Sequence, residues 1–206
     1  CSSEGYYCDK ISIEKLKHFV SKDAFNIDGL GKKIVEGFWK IKLIKYPQDI
    51  FKLDYNKIEN LEGWGKLSVD NLKYSIDEKR NISLERFIFS LGIRHIGLEN
   101  AKLLSKHFET FLNFKNLSKK KKFDELLNID GIGETQVNSI KNFFQNDTNI
   151  KVLNELEKLL IIKKVELPKK NGQLNGKTFL VTGKLNGISR AEIKSLIEEN
   201  SGVTLS

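Results

Sequence analysis

Residues 25–35 read FNIDGLGKKIV, and the same shape returns as ENLEGWGKLSV at 59–69, LGIRHIGLENA at 91–101 and LNIDGIGETQV at 127–137. The second glycines of the four stretches are Gly31, Gly65, Gly97 and Gly133, so successive copies are offset by 34, 32 and 36 residues. A unit that recurs at near-constant spacing points to one supersecondary element used repeatedly. Each copy has an apolar residue, a short glycine-bearing turn and then apolar residues at helical spacing. These are Ile34, Val35 and Phe38 in the first copy, and Leu67, Val69 and Leu72 in the second. The third has Leu98, Ala101 and Leu104, and the fourth Val137, Ile140 and Phe144. A helical stretch also leads into several of the turns, as Ser83–Leu91 does before the third. The expected fold is mainly α, built from four tandem helix-hairpin-helix elements.

The chemistry of the turn says more than its period. The first glycine (Gly29, Gly63, Gly131) tolerates a positive φ at almost no cost. The second (Gly31, Gly65, Gly97, Gly133) lets another backbone come close. The helix that follows opens with unpaired N–H groups and the positive end of its dipole, which suits an anion such as phosphate. The residue between the glycines (Leu30, Trp64, Ile96, Ile132) is placed to tuck inward. Lys32 and Lys66 follow directly and add point charge. In the third copy His95 replaces the first glycine, so its backbone either avoids strong positive φ or accepts strain. Arg94 and His95 supply donors there. A glycine turn with no ligand is the plain alternative for any single copy. Four copies in a basic chain favour nucleic acid.

The 206 residues carry 35 Lys and Arg against 27 Asp and Glu, a net charge of +8, with 39% hydrophobic and 30% charged residues. That excess suits a polyanionic partner, although lysine richness alone also fits compositional bias. No apolar run is long enough for a membrane span, and no signal-peptide pattern opens the chain. No membrane partner is expected. The two cysteines, Cys1 and Cys8, rule out a disulfide framework and suit a reducing cytoplasm. They read either as half of a zinc site or as two free thiols. His18 is a conceivable further ligand on the helical stretch LKHFV.

Residues 166–176, ELPKKNGQLNG, read as a linker. Beyond it the pattern changes. Residues 177–182, KTFLVT, read as a buried strand, and Ser189-Arg190-Ala191-Glu192 as a capping box. An amphipathic helix over Ala191, Ile193, Leu196 and Ile197 ends at Ser201–Gly202, and Val203 opens another strand. Because the chain starts at Cys1 and stops in mid-pattern at Ser206, it reads as a fragment.

These residues resemble the C-terminal part of the bacterial NAD-dependent DNA ligase family. Cys1 to Cys8 is similar to the second cysteine pair of that family's four-cysteine zinc finger. LKHFVSKDAFNIDGLG (16–31) is similar to the stretch that follows the finger. LGIRHIG (91–97) resembles the family's third hairpin, which also lacks the first glycine. Residues 174–206 resemble the opening of a BRCT domain, with its strand–Thr182-Gly183–loop–helix pattern.

The resemblance implies four segments: 1–22, the end of the finger and a connecting helix; 23–165, the helix-hairpin-helix domain; 166–176, the linker; and 177–206, a truncated α/β BRCT domain. It implies a monomeric cytoplasmic partner of nicked duplex DNA. Two of four Zn2+ ligands, Cys1 and Cys8, would be present. NAD+ and Mg2+ would be used only through an adenylation domain whose KxDG lysine motif this chain lacks. Catalytic residues are therefore expected elsewhere, and the chain alone should be inactive. The expected DNA contacts are Gly29, Leu30, Gly31 and Lys32; Gly63, Gly65 and Lys66; Arg94, His95 and Gly97; and Gly131 and Gly133.

The same ingredients also suit a non-enzymatic repair or junction scaffold with helix-hairpin-helix and BRCT domains, or, less well, a phosphopeptide module. Lys119–Lys122 reads as a solvated surface or an electrostatic aid to binding. Phe38 and Trp39 read as core, and Trp64 as packing. Thr182, Gly183 and Arg190 read either as a phosphate site or as ordinary strand-end structure. No catalytic triad or paired-carboxylate motif is apparent around His18, His95 and His107.

Overall fold

A computed structural model describes residue 6 and residues 8–165, 172–183, 188 and 190–205. The chain divides into two compact units, Cys1–Lys164 and Val165–Ser206. Cys1 and Ser189, and with Ser189 the expected capping box, lie outside the described residues.

The first unit is mainly helical. Its opening helix α1 (Asp9–Phe19) buries Leu16 and Phe19, and α2 (Lys32–Lys40) buries Val35 and Phe38. A 3-10 helix (Pro47–Lys52), α3 (Tyr55–Glu59) and α4 (Lys66–Glu78) follow. The inward face of α4 is Val69, Leu72 and Ile76, spaced by three and four as a buried helical stripe requires. The sequence pattern had included Leu67 in that stripe, but Leu67 is 75% exposed. At 100° per residue it sits off the stripe, which Ile76 completes instead. A strand β1 (Asn81–Ser83) leads into α5 (Leu84–Ser90), and α6 (Leu98–Phe108) follows the third turn. Two short helices, α7 (Phe111–Lys115) and α8 (Leu117–Lys120), precede a second 3-10 helix (Phe123–Asn128). Helices α9 (Glu134–Gln145) and α10 (Asp147–Leu159) and strand β2 (Ile161–Lys163) close the unit.

Phenylalanines form much of the interior. Phe19 stacks on Phe25 at 4.3 Å, with Phe51 edge-on to both. Farther along the chain Phe114 meets Phe108 at 5.5 Å and Phe144 at 5.2 Å. Phe38 is core, as its helical position predicts, whereas Trp39 is only half-buried.

Three long-range ties hold distant parts of this unit together. Strand β1 pairs in parallel with β2, Asn81 opposite Ile161, so the end of the unit returns to its middle. The helical reading of 23–165 did not anticipate either strand, because each is only three residues long. Next to this pair, the Arg80 guanidinium donates to the carbonyls of Phe51 (2.9 Å) and Leu159 (3.3 Å). Arg86, 3% exposed, donates from Nε to the Ala24 carbonyl and from Nη2 to the carbonyls of Ala24 and Lys22. It fastens α5 to the segment before the first turn.

In the second unit, β3 (Thr178–Leu180) pairs in parallel with β4 (Val203–Leu205), and α11 (Arg190–Glu199) connects them. Helix α11 ends where Ser201 takes a φ of +67° and the Gly202 amide reaches back to the Ile197 carbonyl. The buried strand expected over 177–182 is corrected on two counts. It is shorter, and Leu180 is 64% exposed, with Val203 and Leu205 beside it 56% and 53% exposed. Among the described residues of this unit, the one helix is too little to cover both faces of the strand pair.

Replacing Arg86 with Ala should destabilise the chain by about 3 kcal/mol, because it orphans buried carbonyls as well as removing charge-assisted bonds. Urea denaturation measures this, and a loss under about 1 kcal/mol would contradict the role assigned to Arg86. Ion pairs to Lys158 and Lys52 hold the Glu155 carboxyl at about 2, below the 4.5 of a free glutamate. The pairs therefore stabilise the fold fully above pH 4.5 and lose that effect as pH falls through about 2. Thermal melting of Glu155→Gln should show a smaller drop in Tm than the parent between those two pH values.

Candidate nucleic-acid interface

The four turns have a common backbone. In each, the residue three places on donates back to close a four-residue turn. The bonds are Leu30 to Ile27 (3.3 Å), Trp64 to Leu61 (3.1 Å), Ile96 to Ile93 (3.1 Å) and Ile132 to Ile129 (3.0 Å). The third residue of each turn has positive φ: +86° at Gly29, +79° at Gly63, +60° at His95 and +87° at Gly131. A turn of this kind needs that conformation at its third position, which is why glycine occupies it in three cases. His95 takes the second option open to it and adopts the strained conformation. The Asn100 side chain donates to the His95 carbonyl at 3.0 Å and helps to hold it.

The apolar residue of the turn points inward, with Leu30, Ile96 and Ile132 at most 5% exposed. Trp64 is half-buried against Phe38, with ring centroids 5.6 Å apart, as a packing role predicts. The second glycine then caps the next helix. Gly31, Gly65, Gly97 and Gly133 precede α2, α4, α6 and α9 with φ of −64°, −143°, −80° and −107°. Any residue adopts those angles. Added Cβ atoms at Gly31, Gly65 and Gly97 would meet nothing within 4 Å, and one at Gly133 only the Gln136 side-chain oxygen at 3.4 Å. All four are exposed, as are Lys32, Lys66, Arg94 and His95. Neither backbone strain nor internal packing accounts for glycine at these four positions.

The expected contact residues thus fall into four local clusters, each at the start of a helix. Two turns lean on the helix of another copy. A Cβ on Gly29 would meet Leu72 of α4 at 3.4 Å, and one on Gly131 would meet Leu103 of α6 at 2.9 Å. Three side chains were not anticipated. Besides Asn100, the Ser68 hydroxyl accepts from the Gly65 amide at 3.0 Å, and the Gln136 carboxamide oxygen accepts from the Gly133 amide at 3.2 Å. The available signal was a Ser or Gln three residues after a capping position.

The N-terminal zinc expectation turns on Cys1, which lies outside the described residues. Cys8 is a half-buried free thiol, and no group of three or more His, Cys, Asp or Glu gathers among the described residues. One thiolate does not make a zinc site. His18 is engaged elsewhere: its Nε2 donates to the Phe89 carbonyl at 2.7 Å and its ring sits edge-on to Phe89. It ties α1 to α5. Among the described residues, no helix is long and apolar enough to cross a membrane.

Comparison with known proteins agrees with this geometry. Residues 86–153, which contain the third and fourth turns, match the helix-hairpin-helix motif. The chain is 69% identical, over all 206 residues, to a DNA ligase of Pelagibacter ubique (strain HTCC1062). Over its whole length it is thus similar in sequence to DNA ligases of bacteria. A DNA ligase of Wolbachia pipientis wMel is 46% identical over 197 residues, and one of Rickettsia canadensis (strain McKiel) 42% over 204, each across 93% of this chain. The chain spans about 30% of the length of these ligases.

The two glycines of a turn should respond oppositely to substitution. Gly29→Ala or Gly63→Ala should cost about 1–2 kcal/mol, the penalty of placing a Cβ in the left-handed region. Gly31→Ser or Gly97→Ser should leave stability unchanged or raise it by a few tenths of a kcal/mol, since serine is a good helix cap. Paired urea titrations test this, and equal losses at both glycines would refute the division of labour.

Proposed function

We propose that this chain is the DNA-gripping part of an NAD-dependent DNA ligase, holding nicked duplex through its backbone phosphates. The observation that carries the proposal is the set of exposed capping glycines, Gly31, Gly65, Gly97 and Gly133, which the protein's own structure does not require, in a close relative of DNA ligases. A bare helix start permits a phosphate to reach amides that a side chain would screen. Lys32 and Lys66 beside their helices, and Arg94 and His95 within the third turn, add charge or donors. On this reading all four turns are hairpins of one domain, residues 23–165. Phosphates carry no base identity, so the grip is indifferent to sequence, as nick sealing requires.

The chemistry of sealing belongs to other parts of such a ligase. There NAD+ supplies an adenylyl group and Mg2+ assists its transfer. This chain contributes position, and it does not seal nicks alone. Residues 177–206, within the second unit, are the opening of a BRCT domain by the same resemblance, joined through 166–176. Cys1 and Cys8 contribute two thiolates to a zinc site whose other ligands lie elsewhere in the protein. The working form is a cytoplasmic monomer.

Fluorescence anisotropy with labelled nicked duplexes of unrelated sequence tests the central claim. Affinity should be micromolar or weaker and nearly equal across sequences. It should fall with salt at a log–log slope of about −0.9 per phosphate engaged. Lys32→Ala should make that slope shallower by about 1. A salt-independent titration, or strong preference for one sequence, would sink the mechanism.

A further inference from the structure

Helix α1 and the third turn do not close on each other completely. They meet at His18, whose Nε2 donates to the Phe89 carbonyl at 2.7 Å. Gly92 stands against the same ring, where an added Cβ would lie 3.3 Å from His18 Cδ2. Beside this contact is an open cavity of about 500 Å3. Positions 10, 11, 14, 15 and 18 of α1 form one wall, spaced as a single helical face. Gly92, Ile93 and Ile96 form the other. The volume is that of a small-molecule site, and such sites combine an apolar lining with a few polar groups.

Three isoleucines, Ile11, Ile93 and Ile96, make this lining apolar. Its charged groups do not cancel. Lys10 is exposed and pairs with no carboxylate among the described residues. The Lys15 ammonium lies 5.1 Å from the centre of the Tyr6 ring, a contact that leaves its charge in place. Glu14 is the one carboxylate of the wall, and Lys17 already holds its Oε1 at 2.6 Å. An aromatic body suits both the isoleucines and the ammonium groups, which favour a π face. An acidic substituent on that body complements the two lysines.

We infer that the cavity is a binding site for a small aromatic anion, and that its occupant loosens the hold of the third turn on DNA. Ile93 and Ile96 are the residues whose backbones close that turn at 3.1 Å, and Arg94 and His95 lie between them. A bound anion adds negative charge beside these basic residues and lowers their attraction for a polyanion. Occupant and duplex therefore oppose each other, and by linkage each weakens the other equally. Only this second half rests on the DNA-gripping reading above.

The test titrates the whole isotope-labelled chain with 2-naphthoate and, separately, with neutral 2-naphthamide, following amide shifts by NMR. The shifts should be confined to residues 10–18 and 92–96, and the acid should bind about two- to fivefold more tightly than the amide. Lys10→Ala should remove about half or more of that preference. Ile11→Trp fills the cavity and should abolish the shifts from both probes, with thermal melts confirming that each variant folds. At matched ionic strength, saturating 2-naphthoate should weaken binding of a labelled nicked duplex about twofold or more, and should have no effect on Ile11→Trp. Shifts that are absent, or strongest in β3 and β4 where other apolar side chains are exposed, would overturn the site. Equal affinity for acid and amide would overturn its preference for an anion. Unchanged duplex binding with the cavity occupied would overturn the coupling. If the chain binds no duplex while the naphthoate shifts persist, the DNA-gripping reading fails and the site stands.

Discussion

The positive φ at the third residue of each turn is the constraint on which the rest depends. It reverses the chain within four residues and closes the turn with one backbone hydrogen bond. The next residue is then carried inward and the one after it is left bare at the start of a helix. Burial of Leu30, Ile96 and Ile132 holds this geometry from inside. The cost of the conformation is negligible for glycine, so three turns use it. Where histidine takes the place at 95, the strain is borne by neighbours: Ile93 and Ile96 are buried on either side, and Asn100 bonds the carbonyl. The turn backbone survives without the glycine because its surroundings over-determine it.

Local turns do not by themselves make a domain. Each copy buries little until another covers it, and the covering here is achieved by contacts far apart in sequence. Arg80 gathers the carbonyls of Phe51 and Leu159, β2 pairs with β1 beside it, and Arg86 clamps the segment before the first turn. These guanidinium groups act on backbone carbonyls near the ends of elements (Phe51, Leu159) and between them (Lys22, Ala24), where no regular partner exists. A basic chain offers many cations, and two of its arginines are spent on architecture rather than on a ligand. Net charge alone thus overstates the surface available to a polyanion.

Much of the candidate interface could be read from the chain because its determinants are local. A φ preference, a helix cap and an apolar residue between them occupy three consecutive positions, so the pattern is complete wherever it occurs. The side chains that distinguish one turn from another are also nearby, but residue identity alone does not mark them. Ser68 and Gln136 look like ordinary first-turn residues until their oxygens are seen on the capping amides. The reading of Leu67 failed for a related reason: at the first turn of α4, apolar identity does not decide burial when nothing packs on that side. His18 shows the opposite case. A residue that sequence reading could offer to a metal is instead committed to the Phe89 carbonyl, 71 positions away.

The sequence by itself determined the number and spacing of the turns, the residues that cap the helices and the similarity to DNA ligases. Each of these is written in short stretches where backbone preference and residue identity act together. Tertiary structure decided which glycines are required by the fold and which are free to meet something outside it. It also decided which amides are already taken. Those properties depend on the space around an atom, and that space is filled by residues from elsewhere in the chain or left empty.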